Sequence, residues 1–239
     1  MGVIAGNVQR VMETVAEAAL KSGRRPETVR LMAVSKLMAA DRIRQALAAG
    51  VDCLGENRVQ EAQSKKVHLA GLDFEYHLIG PLQKNKVNRA VATFDWIQTV
   101  DSLDLARRID RSATRLGKVV SVLIQVNIGR EPQKAGVAEE ELEEMAGRLV
   151  DLDFISIQGL MAIPPYLEDG EAVRPYFRRL RQWFDRLANL GVPKVRMKVL
   201  SMGMSHDFPV AIEEGSTMVR VGTAIFGRRP PARTSHQGV

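Results

Sequence analysis

Lys36 directly follows the apolar run Leu31–Ser35. A lysine in that position either carries its ammonium out to solvent on its long stem or, where it is desolvated, offers a neutral amine to a carbonyl carbon. A second group of residues suggests anion chemistry: Ser-Met-Gly-Met-Ser at 201–205 and Val-Gly-Thr at 221–223. Glycine lets backbone N–H groups approach oxygens closely and hydroxyls add donors, so Ser201, Gly203, Gly222 and Thr223 suit a phosphate. They suit ordinary turns equally well, with Ser205 capping a helix ahead of Asp207. Arg220 precedes Gly222 by two residues and shares its side of a strand by alternation. If that side faces an interior, the guanidinium needs a partner. A phosphate, a carboxylate or a ring nitrogen would serve, and so would a structural acid such as Glu56. Asn57, in Gly-Glu-Asn, is placed either to hydrogen-bond a ligand or to cap the following helix.

Other chemistries lack support. His68, His77, His206 and His236 are scattered, with no metal-ligand spacing. Cys53 is the sole cysteine, which excludes an intramolecular disulfide and suits a buried structural thiol. There is no G-x-S-x-G nucleophile elbow, no G-x-x-x-x-G-K-[ST] phosphate loop and no G-x-G-x-x-G after the first strand.

The elements that must position these residues follow from hydrophobic period and punctuation. Eight short apolar or β-branched runs predict strands: Arg30–Ser35, Cys53–Gly55, Glu75–Ile79, Trp96–Val100, Val119–Ile128, Ile155–Met161, Val195–Leu200 and Thr217–Val221. Helical patterns lie between them. Asp41–Ala49 and Ser102–Leu116 begin with an acid or a Ser cap and end at Gly50 and Gly117. Further helices are expected at about 138–151, through Tyr176 to Leu187, and at about 7–21, where Val8, Val11, Val15 and Ala18 share one face. Eight strands alternating with helices and no internal linker predict a (β/α)8 TIM-type barrel with an additional N-terminal helix, with an open doubly wound sheet as the alternative. In a barrel, functional groups belong at the carboxyl ends of the strands, where Lys36, Asn57, 201–205 and 221–223 would lie.

With 239 residues, 45% hydrophobic and 26% charged, the chain can fill one core and is no disordered polymer. Residues 1–227 are expected to form one barrel domain, and 228–239 a disordered basic tail. The net charge is +6, but Arg228, Arg229 and Arg233 lie in that acid-free tail and leave the body at +3. A body so mildly basic argues against a nucleic-acid binder. The longest stretch free of Asp, Glu, Lys and Arg is 154–167, too short for a membrane span and interrupted by two prolines. With no secretory core at the start, a cytoplasmic monomer with a small-molecule ligand and no membrane partner is expected.

The segments LMAVSK (31–36), GENRVQE (55–61), HLIGPLQKNK (77–86), QVNIGREPQKAGV (125–137), GLMAIPP (159–165) and LSMGMSHDFPVAIEEGSTMVRVGTAIFGRR (200–229) together resemble the pyridoxal phosphate homeostasis proteins. The resemblance implies a barrel like the N-terminal domain of alanine racemase and pyridoxal 5'-phosphate as cofactor. It further implies a Schiff base to Lys36, a phosphate held by Ser201, Gly203, Gly222 and Thr223, Arg220 beside the pyridine nitrogen, and Asn57 lining the ring pocket. Lys134 matches the family's Q-V-N…K-x-G segment without a physical reason of its own. Leu78 and Pro209 depart from the usual Phe and acid, and Pro209 falls in a first helical turn, where a missing N–H is tolerated. The implied role is to bind and handle the cofactor in vitamin B6 and amino acid homeostasis rather than to turn over a substrate. The rivals are a pyridoxal-phosphate-dependent amino acid racemase and a cofactor-free Schiff-base aldolase.

Overall fold

The computed structural model describes residues 2–227, so the tail expected to be disordered at 228–239 lies outside the described residues. In chain order the elements are α1 (Val3–Lys21), β1 (Arg30–Val34), α2 (Ala40–Ala48), β2 (Cys53–Glu56), α3 (Val59–His68), β3 (Glu75–Leu78), α4 (Val87–Thr93), β4 (Trp96–Val100), α5 (Leu103–Leu116), β5 (Val120–Val126), α6 (Leu142–Leu149), β6 (Ile155–Ala162), α7 (Arg174–Asn189), β7 (Val195–Met204), α8 (Phe208–Glu213), β8 (Met218–Val221) and α9 (Thr223–Phe226). Each strand pairs in parallel with the next, and β8 returns to β1 through Arg30–Met218 to Ala33–Val221, closing an eight-stranded barrel. The expected (β/α)8 architecture with an added N-terminal helix is what forms. An open sheet is excluded by the β1–β8 ladder.

The strands were legible because a parallel strand covered on both faces reads as a near-continuous apolar run. Leu31 and Ala33 of β1 join the large core between sheet and helices. Met32 and Val34 point the other way, to a small interior cluster with Cys53, Ile79 and Met218. α5 shows how local sequence fixes a boundary: Ser102 Oγ accepts from the Leu105 N–H at 3.3 Å, and Gly117 closes the helix in the left-handed region. Leu105, Ala106, Ile109 and Ala113 form its buried face.

Most boundaries shift by a residue or two, and three differences have an evident cause or consequence. α1 starts at Val3 rather than near 7, because Ile4 extends its buried stripe. The helix expected at about 138–151 opens as a 3-10 turn over Glu139–Glu141 before α6 proper. Ala138 offers no capping side chain, and Glu139 is turned inward, accepting from Trp183 Nε1 and pairing with Arg179, both at 2.9 Å. Most consequentially, β7 continues to Met204, so Ser201 and Gly203 lie inside a strand and not in the loop beyond it. A register shift between Ser201 and Met204 against β8 lets β7 carry this extra length.

Candidate functional site

The carboxyl ends of the strands enclose a cavity of about 510 Å3, whose lining includes Lys36, Asn57, Tyr166, Ser205, Arg220 and Thr223. Lys36 sits in a tight turn after β1, closed by the Met38 N–H on the Ser35 carbonyl at 3.0 Å. Leu37, the next residue, has φ of 63°, a strained conformation for a side chain of its type, and its N–H donates to Glu61 Oε1. The turn is braced from below. Lys65 Nζ donates to the Ser35 carbonyl at 2.7 Å, to Glu56 Oε1 at 2.7 Å and to Glu61 Oε1 at 2.6 Å, and Ser35 Oγ donates to Glu56 Oε1 at 2.6 Å. Glu56 is fully buried, and burial pushes its carboxyl up while the Lys65 and Ser35 hydrogen bonds oppose that.

Arg220 is 4% exposed and lies against the cavity floor. Its Nη1 donates to Ser201 Oγ and its Nη2 to the Ala162 carbonyl, each at 2.8 Å. The ion pair with Glu56 weighed from sequence does not form, because Glu56 is engaged by Lys65 and Ser35. No carboxylate pairs with Arg220 among the described residues, which leaves a buried cation edging the cavity with neutral partners only. Burial draws the guanidinium down to about 10, with Asp207 opposing, so it stays cationic at neutral pH. A buried cation of this kind calls for an anion or a lone-pair acceptor supplied from the cavity.

Of the residues expected at a phosphate, Gly222 and Thr223 line the cavity, whereas Ser201 and Gly203 do not. Ser201 is fully buried and gives its proton to Gln98 Oε1 at 2.7 Å. Gly203 is required for packing: its φ is 94°, and an added Cβ would meet Ala211 Cβ at 2.6 Å and Phe208 Cα at 3.0 Å. The serine at the cavity is Ser205, whose Oγ accepts from the Gly222 N–H at 3.2 Å and so ties the β7 loop to the start of α9. Its turn is set by Asp207, which accepts from the Met204 N–H.

Asn57 lines the cavity and does not cap α3, whose N-cap is Arg58 with no side-chain bond. Gly80 makes this placement possible: a Cβ there would lie 2.3 Å from the Asn57 carbonyl oxygen. Tyr166 and His206, with ring centroids 4.9 Å apart, join the lining from the loops after β6 and β7, and neither stood out in the sequence as a site residue. Tyr166 directly follows the GLMAIPP segment, which is the available signal. Lys134 is not in the lining. Its Nζ donates to the Pro164 carbonyl at 3.1 Å and pairs with Glu131, while Gln125 Nε2 donates to the Ala135 carbonyl at 2.9 Å and Asn127 Nδ2 to that of Glu131 at 2.9 Å. The Q-V-N segment thus pins the loop that tethers Lys134 to the strand-six loop.

A closed parallel barrel with an amine, a buried guanidinium and two hydroxyl-bearing loops around one mouth defines the alanine-racemase class of barrel, and residues 7–230 match the family model described as "Alanine racemase, N-terminal domain". An alanine racemase from Clostridium difficile 630 shares the fold at a TM-score of 0.71 and 16% identity, over 95% of this chain and 58% of that one. Much nearer in sequence are two proteins named "Pyridoxal phosphate homeostasis protein". One, from Aquifex aeolicus, is 44% identical over 93% of this chain and 96% of its own length; the other, from Escherichia coli K12, is 41% identical over 96% and 98%. The structure of PipY from Synechococcus elongatus PCC7942 with PLP bound is similar at a TM-score of 0.79 and 42% identity, over 89% of this chain and all of that one. This chain belongs to the pyridoxal phosphate homeostasis protein family.

Proposed function

We propose that this chain binds pyridoxal 5'-phosphate, holds it as a Schiff base on Lys36 and serves intracellular vitamin B6 and amino acid homeostasis as a carrier, not as a catalyst. The observation that carries the reading is the convergence of Lys36, the buried cation Arg220 with its neutral hydrogen-bond partners Ser201 and Ala162, and the Ser205–Gly222–Thr223 loops on one cavity of about 510 Å3, a size suited to a small cofactor. The donor set fits each end of that cofactor. Ser205, Thr223 and the opening N–H groups of α9 take the phosphate, Arg220 faces a ring acceptor, and Lys36 meets the aldehyde. Asn57 borders the ring. When bound, the cofactor supplies an electrophilic aldehyde, and the protein's task is to keep it accessible yet controlled.

The same reading treats residues 1–227 as one binding domain working as a cytoplasmic monomer with no nucleic-acid partner. Support comes from the low charge of the body and from the described helices, none of which is long and apolar enough to cross a membrane. The test is the visible absorbance of the protein after incubation with pyridoxal phosphate and removal of excess. A retained band that borohydride abolishes supports the reading. A protein that stays colourless but reacts with a sugar phosphate aldehyde or ketone would favour the cofactor-free aldolase.

A further inference from the structure

Below Arg220 the barrel interior contains a row of polar side chains that the cofactor reading leaves without a role. At the base, Arg30 pairs with Glu75 and with Asp52, the latter at 3.2 Å. Glu75 Oε2 lies 3.4 Å from His77 Nε2, and His77 Nδ1 lies 2.9 Å from Gln98 Nε2. Gln98 Oε1 then meets Ser201 Oγ at 2.7 Å, and Ser201 Oγ meets Arg220 Nη1 at 2.8 Å. His77, Gln98 and Ser201 are all fully buried.

The direction of every bond in this row follows from the chemistry of its upper end. A guanidinium only donates, so Ser201 must accept from Arg220 and pass its single proton to Gln98 Oε1. That leaves the Gln98 amide nitrogen facing His77 Nδ1, which must be the unprotonated, accepting nitrogen. His77 Nε2 therefore carries the hydrogen and points to the Glu75 carboxylate. All donors run from the cavity toward the base. The interior also holds Met32, Val34, Cys53, Ile79 and Met218, and Gln98 Nε2 donates to the Met218 sulfur as well, at 3.1 Å. The orientation of Ser201, and with it one edge of Arg220, thus depends on Gln98.

We infer that Gln98 is a positioning residue, which acts through Ser201 to aim the remaining N–H groups of Arg220 at the ring nitrogen of bound pyridoxal phosphate. The inference rests on the cofactor reading above. It also explains why the first serine of Ser-Met-Gly-Met-Ser is withdrawn from the cavity: its hydroxyl is engaged by Arg220.

The experiment compares Gln98→Leu, Gln98→Glu and Ser201→Ala with the unmutated chain, titrating each with pyridoxal phosphate and, separately, with inorganic phosphate. Gln98→Leu and Ser201→Ala should each weaken cofactor binding by about tenfold, the size of one lost hydrogen bond to a charged group, and alter the pH dependence of the visible band. Their affinity for inorganic phosphate should stay that of the unmutated chain. Gln98→Glu should retain most of the cofactor affinity, since a carboxylate still accepts the Ser201 proton, provided His77 takes a second proton on Nδ1 and donates it to the other carboxylate oxygen. If Gln98→Leu does not fold, Ser201→Ala, which removes a single hydroxyl, decides the matter. Unchanged cofactor affinity and band in the folded variants, or equal loss of cofactor and inorganic phosphate, would overturn the inference. Failure of the cofactor reading itself shows separately, as absence of the band in the unmutated chain.

Discussion

The Ser201 hydroxyl, fully buried and outside the cavity lining, accepts a 2.8 Å hydrogen bond from Arg220 Nη1, whose side chain edges the cavity. Two serines of one Ser-Met-Gly-Met-Ser segment thereby take different tasks: Ser201 orients a cation, and Ser205 reaches the cavity. Ser205→Ala should weaken binding of both pyridoxal phosphate and inorganic phosphate, by roughly tenfold or more, since hydrogen bonds to charged groups are worth about 1.5–3 kcal/mol. Calorimetric titration with the two ligands checks this. A Ser205→Ala protein that binds inorganic phosphate normally would move the phosphate away from the β7 and β8 loops.

How much of this was readable beforehand depended on local signals. The β strands, the α5 caps and the face of α1 announce themselves through period and punctuation, because each is decided by neighbours in sequence. The extension of β7 to Met204 is decided by its parallel neighbours and a bulge; Leu200, Met202 and Met204 do alternate with Ser201 and Gly203, but the serine and glycine read equally well as a turn. Lys36, Asn57, Gly222 and Thr223 follow from the rule of carboxyl-terminal strand ends, and Arg220 from its alternation with Gly222 at the end of β8. Tyr166 and His206 do not, because loop conformation brings them together. The Gln98–His77 row was equally hidden: interior polar residues look like breaks in apolar strands until their partners, up to 103 positions away, are seen.

The turn carrying Lys36 should depend on Lys65, which is nearly buried and bridges Glu56, Glu61 and Ser35. Lys65→Met leaves the buried Glu56 carboxyl without its cation and should cost about 3–5 kcal/mol of stability, with weaker cofactor retention. Adding Glu56→Leu should recover much of the stability. Urea denaturation of the single and double variants measures both effects. A stable Lys65→Met protein would mean the bridge contributes little.

Acid should weaken the fold in two stages that trace to neighbouring residues. Burial holds the His77 imidazole below its ordinary 6.5, so as pH falls past 6.5 the unfolded chain takes up a proton that the folded chain does not, and stability drops. The His77 hydrogen bond and the Arg30 guanidinium hold the Glu75 carboxyl down to about 2 against an ordinary 4.5. Stability from Glu75 is therefore complete above 4.5 and is lost as pH falls from there to about 2. Glu75 is partly exposed, so its stage should be the smaller. Denaturation midpoints followed into the acid range should show both stages, and His77→Gln should remove the first one. A first stage that survives in His77→Gln would assign it to another group.

On the proposed carrier role, the protein should lack substantial racemase activity. Racemisation needs an acid/base group on each face of the substrate α-carbon, and Lys36 can serve one. Tyr166 lines the cavity, but it is 72% exposed and so open to bulk water. Incubation of the cofactor-loaded protein with L-alanine in deuterated water should give no rapid α-deuteration and no accumulating D-alanine. Rapid formation of deuterated D-alanine that Tyr166→Phe abolishes would instead make Tyr166 the second group and the protein an enzyme.

The central claim is that Lys36 holds the cofactor. The most direct measurement is borohydride reduction of the pyridoxal-phosphate-loaded protein, followed by peptide mass spectrometry to locate the fixed adduct. A single modified site at Lys36 is expected, and Lys36→Ala should lose both the adduct and the visible band. An adduct mapped to Lys134, tethered to the Pro164 carbonyl, or to Lys86 would contradict it.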